Sequence, residues 1–140
     1  MACAAPSAGD LQSYRIVVVR DRERRRRLRA LAHDQPFVSE APVCLVFCAD
    51  GLRAAERFGA RGAQLYALQD ATIAAAYAQL AIVAAGMGST WIGNFDDAGM
   101  SAMFELDPEV RPVAMLSVGY PAELPDLTPR RRLEELVIYR

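Results

Sequence analysis

The residues able to do chemistry are few, and their types narrow the choice. All 16 basic residues are arginines, so neither a Schiff base nor a phosphate-loop lysine can be built. Any phosphate must be held by guanidinium forks or backbone N–H groups. The one histidine, His33, could act as a base. No nucleophile with a motif accompanies it, however, and no Gly-x-Ser-x-Gly occurs, so it reads as a loop histidine. Cys3, Cys44 and Cys48 make no disulfide framework and read as buried thiols in a reducing cytoplasm. Cys44 and Cys48 sit in one apolar run that reads as a strand, where four residues span about 13 Å, beyond bridging reach. With a single histidine, no zinc or other metal site is expected. Adjacent carboxylates Asp96-Asp97 and Glu134-Glu135 point apart and read as helix caps and solvated faces. No catalytic side chain emerges. That absence suits a protein whose chemistry belongs to a bound cofactor, and equally a protein that is no enzyme.

The elements that must position these residues follow from local pattern. Pro6 to Gln12, with Pro, Ser, Gly and Asp, reads as a loop. Tyr14–Val19 is a β-branched strand. Asp21 caps a charged helix running to about Ala32. Val43–Ala49 is a second strand, apolar enough for burial on both faces. A short helix or loop covers Gly51 to Gly62, and a long Ala-rich helix then runs from about Ala63 to Ala85, ending at Gly86. Thr90–Gly93 is a short strand or extended turn, and Asp97 to Phe104 a small helix. Val113–Val118 is the third clear strand.

The 140 residues fit one domain. A composition 53% hydrophobic and 24% charged is that of a globular chain. Net charge of −1 gives no global attraction for nucleic acid. The Arg-rich helix lacks interleaved aromatics for base stacking, so it reads as a solvated face. Ala71 to Gly88 carries no charge, but alanine gains little on transfer to lipid. A helix buried on nearly all sides, in a core or a dimer interface, is the better reading. Gly86, Gly88 and Gly93 follow a helix, where a dinucleotide fingerprint would follow a strand. The tail ends in apolar residues, Leu136 to Tyr139, with little of its own domain to bury against. Packing on a partner copy would satisfy it, which favours a homodimer.

Several segments, in order, resemble the nitroreductase family. Pro6-Ser7-Ala8-Gly9-Asp10-Leu11-Gln12-Ser13-Tyr14 is similar to the family's Pro-Ser-x-x-Asn-x-Gln-Pro-Trp. Gln35-Pro36-Phe37-Val38 leading to Ala41-Pro42, the Ala-rich helix, Gly86 through Gly93, Val113 to Pro121, and Arg130-Arg131-Arg132-Leu133-Glu134-Glu135 follow in register. The resemblance implies an α+β fold with a central mixed or antiparallel sheet flanked by helices. It implies the long helix at a dimer interface and the C-terminal tail reaching the partner. It further implies an FMN-dependent enzyme passing hydride from NAD(P)H through the flavin to a small acceptor such as a nitroaromatic or quinone.

By position, Pro6, Ser7, Ala8 and Asp10 would contact FMN held mainly by the other subunit. Gln35 would lie near its pyrimidine or ribityl part. Gly93 and Asn94 would lay backbone beside the redox-active edge, and Arg130 and Arg132 would hold the phosphate. Trp91 and Phe95 are expected to pack. No catalytic side chain is implied, since the chemistry is on the flavin. Asp10 stands where the family has Asn, and Asn94 where it has a second Gly. The family's opening helix and Arg-Arg-Ser-x-Arg segment have no counterpart, so residues 1–140 are expected to form a single domain without them. The alternative is a non-catalytic homodimer, flavin-binding or flavin-free. The expected location is the cytoplasm, with no nucleic-acid or membrane partner.

Overall fold

The computed structural model describes residues 1–123, 125–126 and 128–140. Four strands form one sheet in the order β1-β2-β4-β3. They are β1 (Tyr14–Val19), β2 (Val43–Asp50), β3 (Gly88–Ile92) and β4 (Val110–Gly119). All three pairings are antiparallel, which resolves the expected mixed or antiparallel sheet. One irregularity lies between β2 and β4. Phe47 faces Ala114 and Cys48 faces Pro112, so Val113 is an extra residue. β3 pairs only with 115–119 of β4, so Pro112, which has no N–H, leaves no gap in that ladder.

Side chains alternate between the two sheet faces, and each face has its own cover. Cys44, Val46, Cys48 and Met115 pack under α1 (Arg22–Leu31), α2 (Pro36–Glu40) and α5 (Asp97–Met103), through Leu28, Val38 and Met100. Asp21 caps α1 by accepting from the Arg24 amide, as its position predicts. Phe47, Ala114, Leu116 and Val118 pack instead against Ala74, Ala75, Ala78 and Ile82 of α4 (Ala67–Ala84).

The approach to α4 is where the sequence pattern is least informative. The segment α3 (Gly51–Arg61) breaks at Gly59, whose φ of 57° and ψ of −146° lie outside helical space. A π-turn over Gly62–Tyr66 then leads into α4. The break folds Gly62 back against α3, so closely that a β-carbon there would lie 2.3 Å from the Ala54 carbonyl oxygen. In the single chain α4 is covered on one face only, so the sheet supplies one side of the burial expected in a core or a dimer interface. Leu80 and Val83 are 67% and 63% exposed. Gly86, with φ of 75°, ends the helix. The C-terminal segment carries a four-residue helix, α6 (Leu133–Leu136), with no buried residue. Leu136, Ile138 and Tyr139 are exposed, as the sequence implies for a tail with nothing of its own to cover.

Helix propensity alone favours Ala over Gly by about 1 kcal/mol, and Gly62 has ordinary helical angles. The contact with Ala54 reverses the sign. We expect Gly62→Ala to destabilise the protein by about 1–3 kcal/mol in urea unfolding; any gain in stability would contradict this packing.

Candidate functional site

The Pro6–Gln12 loop is a fixed structure. Gly9, Asp10 and Gln12 all have left-handed backbone, with φ of 57°, 56° and 51°. Asp and Asn tolerate that region better than most residues, which accounts for an Asp where an Asn was expected. The Ser7 hydroxyl accepts from the Gln12 amide at 2.9 Å, and the Gln12 side-chain amide donates to Asp10 Oδ1 at 3.0 Å. Two helices hold this loop. From α4, the carboxylate of Asp70 accepts from the Ala8 amide at 2.9 Å and the Ser13 amide at 3.2 Å. From α3, Arg53 donates to the Leu11 carbonyl at 2.6 Å and Arg57 to the Gly9 carbonyl at 3.0 Å. Asp50 fixes the start of α3 by capping Arg53 and pairs with Arg15 at 3.2 Å.

A second group gathers where α1 ends. His33 and Asp34 are consecutive left-handed residues, with φ of 55° and 57°. Strain of this kind collects at sites where the chain must turn for a purpose. The turn brings Gln35 to the head of α2, where its Nε2 donates to the Ala32 carbonyl at 2.9 Å, and its side-chain oxygen has no hydrogen-bond partner among the described residues. His33 Nε2 lies 3.3 Å from Asn94 Oδ1, and the Asp96 amide donates to the Leu31 carbonyl at 2.9 Å. His33 thus links the turn that leads into Gln35 to Asn94, while among the described residues no hydrogen bond joins Gln35 itself to Gly93 or Asn94. Gly93 and Asn94 are exposed. Phe95 packs in the core, while Trp91 is 37% exposed, more open than the expected packing role.

Gly93 is informative because nothing inside the chain requires it. Its φ is not in the left-handed region, and a β-carbon there would meet only Trp91 Nε1, at 3.7 Å. Gly119, by contrast, is crowded, since a β-carbon there would lie 3.0 Å from Pro42 Cδ. A bare, exposed backbone at Gly93 leaves room for a flat group to approach from outside.

Arg130 and Arg132 form a third, exposed group. Among the described residues, Arg130 bonds to Thr128 and Pro129 oxygens alone. Arg132 has no ion pair among the described residues; the one pair in this run joins Arg131 to Glu135 at 3.1 Å. These guanidinium groups are available to an anion. The loop group is tied to α4 on one face of the sheet, and the Gln35–Asn94 group to α1 on the other. Among the described residues no hydrogen bond joins them.

Residues 30–120 match the nitroreductase family, which is more than half of the chain. The chain belongs to the nitroreductase family. It is 34% identical to a Thermus thermophilus protein named NADH dehydrogenase, covering 99% of this chain and 81% of that protein. It is 31% identical to the Bacillus subtilis FMN reductase [NAD(P)H], over 91% of this chain and 56% of the relative. The structure of the Vibrio harveyi NADPH:FMN oxidoreductase, complexed with NAD+, superposes with a TM-score of 0.89 at 28% identity, covering 99% of this chain and 63% of that one. The chain therefore spans little more than half the length of several relatives it matches.

Sequence reasoning missed Asp70, Arg53 and Arg57. The signal for Asp70 was present: a lone acid heading an otherwise uncharged alanine helix must find partners once buried. The thiols need one correction, since Cys3 is exposed while Cys44 and Cys48 are buried. Burial pushes both buried thiols up to about 11, with only partial relief from Arg25 and Arg15 respectively. Near pH 8 they stay protonated and inaccessible. A thiol reagent should modify one cysteine rapidly in native protein and all three in denaturant; fast native labelling of Cys44 or Cys48 would refute the buried assignment.

Proposed function

We propose that the chain is a subunit of an FMN-dependent, NAD(P)H-oxidising homodimer that reduces a small organic acceptor. The observation that carries the reading is Gly93, a glycine explained by neither conformation nor internal crowding, on a chain of this family. FMN, when bound, supplies the two-electron chemistry, taking hydride from NAD(P)H and giving it to a nitroaromatic, quinone or similar acceptor.

The chain's own residues bind and orient. Arg130 and Arg132 present charged donors suited to a phosphate. Ser7, whose oxygen accepts from the Gln12 amide, keeps its O–H to donate outward. Gln35 keeps an open acceptor and Asn94 an open amide donor. Pro6, Ala8 and Asp10 shape the wall of the loop. Because the two groups hang on opposite faces of one sheet, a complete site is best assembled from two copies, each supplying one half. The uncovered side of α4 and the apolar tail give those copies something to bury. Three free cysteines suit a reducing cytoplasm.

Purified protein should sediment as a dimer, take up FMN with quenching of flavin fluorescence, and bleach on addition of NADH or NADPH. Arg132→Ala should weaken FMN binding about 10–100-fold, the loss of one charge-assisted hydrogen bond of about 1.5–3 kcal/mol. A dimer that ignores added FMN would leave the non-catalytic reading in its place.

A further inference from the structure

We infer that Asp70 is a positioning residue for the cofactor loop, and that its carboxylate sets flavin affinity from inside the protein without touching the flavin. The inference rests on the proposed function, because it assigns a purpose to a loop placed at the FMN site.

Asp70 is 2% exposed and lies on the face of α4 that otherwise buries alanines. Among the described residues it has no cationic partner within ion-pair distance. A buried carboxylate is costly, and on an alanine face an alanine would be the cheaper occupant. Its two oxygens are used on two backbone amides, Ala8 at 2.9 Å and Ser13 at 3.2 Å. Those amides bracket the loop whose left-handed residues, Gly9, Asp10 and Gln12, lie between them. An ionised carboxylate is acceptor-only on both oxygens, so it matches a pair of N–H donors as no neutral side chain does. The tie fixes both ends of a strained segment to a rigid helix before any ligand arrives. Pre-ordering of this kind removes from binding the entropy that a mobile loop would lose.

Asparagine has nearly the same shape but one acceptor oxygen, and its NH2 would confront an amide donor. In Asp70→Asn the Ala8 and Ser13 amides should therefore exchange with solvent at least about 10-fold faster, and the FMN dissociation constant should rise by about 10-fold or more. Ala78→Gly, a buried change eight residues further along α4, controls for general loosening of the helix and should leave FMN affinity unchanged. The flavin-free wild type gives a measurement that no misfolded variant can spoil: both amides should already be protected, and FMN should add little further protection.

Open-loop exchange rates for these amides in the wild type would overturn the inference. So would an unchanged FMN affinity in Asp70→Asn alongside normal wild-type binding, which would leave the proposed function standing. A wild type that binds no FMN overturns both.

Discussion

The packing of α4's alanine face onto the sheet is the constraint from which most of the rest follows. Ala71, Ala74, Ala75 and Ala78 are buried there, and side chains this small let helix and sheet backbones come close together. Close approach gives little apolar area per residue, so stability depends on tight fit more than on large hydrophobes. The same closeness places Asp70, on the first turn of α4, within reach of the chain entering β1. It also requires a sharp reversal ahead of the helix, which Gly59 and Gly62 supply.

Much of the fold was legible because much of it is local. β1, β2 and β4 announce themselves as β-branched or continuous apolar runs, and Asp21 and Asp96 mark helix starts by capping amides three residues ahead. The orientation of α4 was not legible. A helix that is apolar all round has no stripe to read, so which side meets the sheet depends on partners elsewhere in the chain. The break at Gly59 was hidden for a similar reason, since helical residues lie on both sides of it. At the site, Pro6 to Gln12 was legible as a loop from its residue types, whereas Gln35, Gly93 and Asn94 came only from the resemblance to the nitroreductase family and remain proposed cofactor contacts. The ties that hold the loop were not legible, because Asp70 meets Ala8 across 62 positions of sequence.

The two candidate groups also differ in how they are held. The Pro6–Gln12 loop is tied by a buried carboxylate and two guanidinium groups, all acting on its backbone. Within the loop, the side chains of Ser7, Asp10 and Gln12 add bonds of their own. The corner at Gly93 is held by single hydrogen bonds between α1 and the segment after β3, and its contribution is an open stretch of backbone. One group offers a shaped wall, the other clearance.

If the proposed site is assembled from two copies, the attachment of these groups to opposite faces of the sheet has a consequence in mass action. A pocket whose halves reside on different copies exists only in the assembled state, so ligand binding and subunit association become linked equilibria. Dilution then strips the ligand as it separates the subunits, and saturating ligand holds the subunits together. In such a dimer the affinity measured for the small molecule becomes a function of protein concentration.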